Sequence, residues 1–381
     1  MSFFSNFISE EYELLRDTAT KFARTEIWPN AMEYEEEGIF PIELYKKAGN
    51  AGILRAGFSE HVGGTGTNPM HQVMVTEGLM RGGTTGVVVG LGTAAIALPP
   101  ILAAGTSGQI DKFVKPVLAG DAIAALAITE PNTGSDVAGV QTRAHKVEGG
   151  YRVSGNKLYI SSGSRADFIT TLVRTSDDPH GGLTFLVLEK PMKGLTVSRC
   201  LKKTGWWSSD TAELAFDDIF VPEENRIGSE GSGFILLMHN FQAERLALAT
   251  YGATTAEIAY EEARRYATER NAFGKKIMGF QVTRHKLADM ATQVTAAKTM
   301  VYQVGTRMAE GQEVVAEVSM AKNFCSDVAL NVTREAVQIF GGMGYMRESW
   351  VERLSRDARL LPIGGGTQEI MKEIIGKRLN Y

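Results

Sequence analysis

The sequence predicts an α+β fold in three parts: an N-terminal helical domain, a middle antiparallel β domain and a C-terminal four-helix bundle. Three observations carry this. Apolar residues recur at helical spacing up to about residue 120, short β-branched runs with glycine-rich turns follow, and helical periodicity then resumes over much longer segments. The boundaries are expected at 1–121, 122–230 and 231–381, a division that a chain of 381 residues can support.

In the first part, FISEEYELLRDTATKFARTEI has apolar residues on one helical face and ends before Trp28-Pro29. PIELYKKAGNAGI starts with Pro41, which suits a helix start, and stops near Gly49 and Gly52. From Ala122 the runs AIAALAIT, TRAHKVEGGYRVSGNKLYIS, FITTLVRT, LTFLVLE and LTVSRC read as strands, with a hairpin at Glu148-Gly149-Gly150. After Gly231-Ser232-Gly233 a helix runs from Phe234 to about Arg270, roughly 55 Å at 1.5 Å per residue, with only Gly252 interrupting its pattern. Two more long helical segments and a shorter one after Gly366 complete an up-and-down bundle.

Composition narrows the function. A 44% hydrophobic, 22% charged chain is ordinary for a soluble globular enzyme, and a net charge of −4 gives no reason to expect nucleic acid or an anionic membrane as partner. The two cysteines, Cys200 and Cys325, are far apart, which excludes a disulfide scaffold or CxxC site and suits a reducing compartment. The N-terminus lacks a basic signal-peptide start, so a cytoplasmic location is expected. The uncharged stretch Val87–Gly105 is long enough to span a bilayer, but its small residues and Pro99-Pro100 favour a buried helix pair.

Several catalytic signatures are absent. There is no GxSxG elbow, and the six histidines show neither HExxH nor paired metal-ligand spacing, so no metal site is expected. GGMGY (341–345) follows a helix rather than a strand, which argues against a dinucleotide fingerprint. The richest segment is AITEPNTGSDVAGVQTRA (127–144). There a strand gives way to a loop of small polar residues offering hydroxyls and backbone N–H groups to a phosphate or flavin edge.

That loop is followed in order by GNKLYISSG, KTGWWSSDTAELAFDDIFVPEENRIG, ERNAFGKKIMGFQ, QIFGGMGY and RDARLLPIGGGTQEI. The series resembles the acyl-CoA dehydrogenase family over nearly the whole chain. The resemblance implies FAD as cofactor and an acyl-CoA as substrate. It also implies electron transferring flavoprotein as acceptor and a homotetramer built as a dimer of dimers. It places Leu126, Ile128, Thr129 and Ser135 in the flavin loop, with Ser135 also reaching the substrate pyrophosphate. Tyr159 and Ser161 match positions that face the flavin ring, where many relatives carry Trp and Thr. Arg270, Phe273 and Gln281, with Gln338, Gly341 and Gly342, resemble groups that clamp the adenine and pyrophosphate of FAD across a dimer interface. Thr367 and Glu369 complete the C-terminal cofactor loop.

The departure from the family concerns the base. Most members carry a catalytic Glu in a YEGT-like loop; here the loop reads IGGGT, with Gly364 at the Tyr position and Gly365 at the Glu position. Long-chain and isovaleryl-type members place the base on the long helix, where FQAERLALA puts Glu244. Its helical neighbours Asn240, Phe241, Ala247 and Leu248 are mostly apolar, so its carboxylate should be desolvated and its pKa raised. A glutamate satisfied by a buried arginine, or a solvated one, is the competing role. The N–H at Gly365 survives the loss of a side chain, so the family's oxyanion site is expected to persist. Arg245 matches an arginine near the CoA pantetheine or phosphates. Val88 and Gly92 align with long polar residues that close the acyl pocket of medium-chain relatives, which predicts a long or branched acyl chain. The expected reaction is α,β-dehydrogenation to the trans-2-enoyl-CoA with Glu244 as base. The alternatives are an acyl-CoA oxidase, a flavin monooxygenase of this fold, or a non-catalytic flavoprotein partner.

Overall fold

The computed structural model describes residue 4 and residues 6–381. Helix α1 (Glu10–Phe22) opens the N-terminal region, capped by the Ser9 hydroxyl, which accepts from the Tyr12 N–H. It packs on α2 (Pro69–Leu79). Gly78 permits that contact, since a Cβ there would stand 2.6 Å from the Ala19 Cβ. The uncharged stretch forms α3 (Thr85–Leu91) followed by a second helical piece, Ala94–Ala104, bent by 41°. Val87, Leu91, Ala97, Leu98 and Ile101 on it are buried. Among the described residues no single helix is long and apolar enough to cross a membrane.

The middle region is one sheet of eight strands: β1 (Ala124–Ala127), β2 (Arg143–Val147), β3 (Gly150–Ser161), β4 (Phe168–Arg174), β5 (Leu183–Glu189), β6 (Leu195–Cys200), β7 (Thr211–Pro222) and β8 (Arg226–Ile227). The order is β6-β7-β3-β2-β4-β5-β8 with β1 against β4. Antiparallel ladders dominate, and β2 and β3 form the expected hairpin with Gly149 at φ +75. Two pairings at the middle of the sheet depart from it: β1 runs parallel to β4, and β2 meets β4 in parallel at Arg143 and Arg174. The reason is connectivity, because β1 arrives from the helical region and the whole β2–β3 hairpin separates it from β4.

Helix α4 (Gly233–Glu269) runs unbroken for 37 residues, close to the length the sequence implies. Gly252 does not interrupt it. A Cβ there would stand 2.6 Å from the Cys325 carbonyl oxygen, so the glycine lets α4 lie directly on α6 (Val315–Phe340). With α5 (Gln281–Ala309) and the shorter α8 (Gln368–Arg378) these helices form the bundle, while α7 (Trp350–Ala358) links α6 to the glycine loop before α8. One continuous apolar core joins the three regions, through Met74 and Val88, Ala212 and Leu214, Leu246 and Ala256, and Ala321 and Val332.

The α4–α6 contact sets a clear expectation. Gly252→Val gains helix propensity of a few tenths of a kcal/mol at most but must separate two packed backbones, an overpacking cost of about 1–3 kcal/mol. The midpoint of thermal unfolding should fall by several degrees. A scanning calorimetry trace equal to that of the parent would remove this contact from the bundle's energetics.

Candidate active site

A cavity of ≈ 730 Å³ lies where the three regions meet. Its walls come from α2, α3, the end of β1 with the loop beyond it, β3, residues 203–206, α4, and the loop after α7. The polar loop is anchored by a buried ion pair. Lys157, fully buried on β3, donates from Nζ to Glu130 Oε1 at 2.8 Å and to the Ile128 carbonyl at 2.8 Å. Glu130 in turn accepts from the N–H groups of Gln141 (2.7 Å) and Thr142 (2.9 Å), so its carboxylate ties both ends of the loop together. Burial would raise Glu130, but Lys157, Thr142 and Gln141 outweigh it and hold the carboxyl below its ordinary value. Burial drives Lys157 down to about 8 despite Glu130 beside it.

This anchoring brings Leu126, Ile128, Thr129 and Ser135 to the cavity wall beside Tyr159 and Ser161 of β3. Tyr159 has φ +62 and is 64% exposed, presenting its ring to the open side. The hydroxyls of Thr129, Ser135 and Ser161 have no hydrogen-bond partner among the described residues. They are therefore free to serve a bound polar group. Thr367 also lines the cavity and caps α8, accepting from the Ile370 N–H. Glu369 is exposed beyond it, its carboxyl lowered by its own backbone N–H and the Thr367 hydroxyl.

Glu244 meets the glycine loop directly. A Cβ built on Gly365 would collide with Leu248 Cδ1 and stand 3.3 Å from Glu244 Oε1. The helix carboxylate thus occupies the space that a side chain at 365 would take. Gly365 has φ +61, a conformation that glycine adopts freely. Its N–H has no hydrogen-bond partner among the described residues. Glu244 is half-buried, lines the cavity and forms no ion pair among the described residues, so it is not the glutamate of a buried arginine pair. Burial raises its pKa, with Arg245 and Lys322 partly offsetting that from nearby.

Arg245 stays off the cavity wall. It is buried beside the Phe241 ring, 5.5 Å away, and its Nε lacks a partner. Val88 and Gly92 do line the cavity. The room beside Gly92, however, is taken by Tyr251, whose hydroxyl would lie 3.0 Å from a Cβ at that position. Arg270, Phe273, Gln281, Gln338, Gly341 and Gly342 are exposed and away from the cavity, Phe273 at 96%. Tyr266 at the end of α4 stacks on Phe340 at the end of α6, with centroids 4.2 Å apart, which sets the 270 and 338–342 segments at the same end of the bundle.

Two residues escaped the sequence reading. Lys322 is fully buried on α6 and donates to the Gly366 carbonyl, fixing the glycine loop against the bundle. Burial and Arg245 push it down to about 8, while Glu244 and Glu369 act against them. A lysine on the apolar face of VAEVSMAKNFCSDVALNV was the available signal. Tyr251 was the other, seven residues after Glu244 and so nearly on the same helical face.

Comparison with known proteins agrees over the full length. The family profiles for the acyl-CoA dehydrogenase N-terminal, middle and C-terminal domains match residues 9–121, 125–219 and 231–380. An acyl-CoA dehydrogenase of Bacillus subtilis is 37% identical over 98% of both chains. The mouse (Mus musculus) mitochondrial long-chain specific acyl-CoA dehydrogenase is 34% identical over 97% of this chain and 87% of its own. A solved structure of a probable acyl CoA dehydrogenase from Mycobacterium abscessus superposes with a TM-score of 0.96 at 48% identity, covering 98% of this chain and 100% of that one.

Lys157→Met should unseat the 128–142 loop, because it leaves Glu130 buried and unpaired at a cost of about 3–5 kcal/mol. The expected outcome is protein that purifies largely without flavin. Full flavin content by absorbance would show that the loop holds its shape without this pair.

Proposed function

Since this chain belongs to the acyl-CoA dehydrogenase family, we propose that Glu244 is the base for FAD-dependent dehydrogenation of an acyl-CoA to the trans-2-enoyl-CoA. The observation that carries the proposal is the unpaired Glu244 carboxylate, standing 3.3 Å from where a side chain at Gly365 would begin. FAD, the cofactor of the family, supplies the acceptor for the β-hydride. The residues present fit it. Three unpartnered hydroxyls, of Thr129, Ser135 and Ser161, line the cavity beside the backbone of Leu126 and Ile128, and Tyr159 offers an aromatic face.

In this reading Glu244 accepts the α-proton, and its raised pKa matches it to a weakly acidic C–H better than an ordinary carboxylate. The free Gly365 N–H donates to the thioester oxygen as charge develops there. Lys322 keeps that N–H in place by holding the next carbonyl. The exposed clamp of Arg270, Phe273, Gln281, Gln338, Gly341 and Gly342 is completed by a second copy of the chain within a homotetramer. Their shared exposure at one end of α4 and α6 supports this. Electron transferring flavoprotein is the proposed acceptor. For the acyl chain we favour long or branched substrates. Breadth supports this more than depth: a Cβ at Gly364 would meet nothing nearer than Leu360 Cγ at 3.8 Å, whereas Tyr251 fills the room beside Gly92.

Glu244→Gln should keep its flavin and lower turnover by about 10²–10⁴-fold. Near-normal turnover would remove Glu244 from the mechanism. In the parent enzyme kcat/KM falls as pH drops through the raised Glu244 pKa, because the protonated acid cannot accept the α-proton. Lys322 lowers that pKa, so Lys322→Met should move the acid limb to higher pH. A limb that stays put in the pH profile would show that Lys322 acts on the loop alone.

A further inference from the structure

The acyl end of the cavity has more hydrogen-bonding capacity than a plain hydrocarbon can use. Tyr251 follows Glu244 on nearly the same face of α4, about 10.5 Å further along the axis at 1.5 Å per residue. It lines the cavity, is only 9% exposed, and points its hydroxyl at Gly92. That hydroxyl has no hydrogen-bond partner among the described residues, and burial raises its pKa, so it stays a neutral O–H. On α2, which packs against α4, Gln72 and Thr76 lie one turn apart and also line the cavity. Neither side chain has a partner among the described residues. A polar group that faces the cavity loses its water when an apolar chain fills the space, and leaving it unpaired then costs about 1–3 kcal/mol. Phenylalanine at 251 and leucine at 72 or 76 would form a hydrocarbon wall without that cost. Three such groups around one cavity therefore indicate a ligand atom that pairs with them.

The atom is uncharged. Of the cations lining the cavity, Lys203 donates to the Ser209 carbonyl, Arg356 is paired with Glu35 and Glu352, and Arg359 is exposed. A carboxylate carried to the Tyr251 end would give up its hydration to Tyr251, Gln72 and Thr76, which offer hydrogen bonds but no charge.

We propose that the substrate is an acyl-CoA whose chain bears a neutral oxygen function, a hydroxyl or ketone, about 10 Å beyond the reacting carbons. Tyr251 receives it, with Gln72 and Thr76 of the neighbouring helix α2 lining the same cavity. This rests on the dehydrogenase reading given above.

The test uses the FAD-loaded enzyme and CoA thioesters of one chain length. They are unsubstituted, or carry a hydroxyl, ketone or terminal carboxylate, with the hydroxyl and ketone moved stepwise along the chain. Each is scored by anaerobic flavin bleaching and then by kcat/KM. One distal hydroxyl or keto position should exceed the unsubstituted chain by about tenfold, as a buried hydrogen bond predicts. Tyr251→Phe, which keeps the ring, should bring that ratio close to one while retaining flavin. Equal rates at every position, a ratio unchanged in Tyr251→Phe, or a preference for the carboxylate tail would each overturn the proposal. Bleaching without preference overturns this proposal alone, whereas no bleaching by any thioester overturns the dehydrogenase reading and this proposal with it.

Discussion

An ionisable carboxylate inside a protein ordinarily finds a cation or gives up its charge, and Glu244 is held back from the first course. Two cations are close enough to lower its pKa, yet each is turned elsewhere: Lys322 into the Gly366 carbonyl and Arg245 against the Phe241 ring. A direct ion pair would drop the carboxyl into the ordinary range or below. Complete isolation would leave it permanently protonated. The site lies between these limits, and the positions of α6, the glycine loop and the cavity wall follow from keeping it there.

That balance requires close backbone packing. Gly252 lets α4 rest on α6, which carries Lys322, and Lys322 then fixes the loop that presents the Gly365 N–H. On the opposite side the Lys157–Glu130 pair holds the 128–142 loop on the sheet. The two halves of the cavity thus rely on the same device, a buried lysine tied to a loop carbonyl. The pairings differ in one respect. Lys157 has a carboxylate in contact, while Lys322 faces Glu244 only at a distance, and so Lys322 shifts the Glu244 carboxyl where Lys157 serves to anchor.

Much of this was legible in the sequence. The three-part α+β order, the long helix and the β2–β3 hairpin follow from periodicity and turn residues, which are local signals. The meeting of Glu244 with the glycine loop was legible through the family resemblance, since IGGGT lacks the usual glutamate and AERL carries one on the long helix. Pairing that depends on long-range topology was not, so β1 beside β4 in parallel could not be read from a run of four residues. Gly92 misled for a related reason. A small residue signals space only if no distant side chain fills it, and Tyr251, more than 150 residues later, does. The role of Lys322 was hidden likewise, since its partner is a backbone carbonyl and leaves no mark in the sequence.

The glycine at 365 and the glutamate at 244 also depend on each other. A glutamate returned to position 365 would require φ near +61, collide with Leu248, and set a second carboxylate beside the first. Two carboxylates so close cannot both ionise, so one would hold a proton and neither would retain the tuning that Lys322 and Arg245 now provide. Removing the side chain at 365 therefore does more than make room for Glu244. It leaves a single titrating carboxyl facing the cavity, and with Gly364 beside it the loop gains breadth on that side.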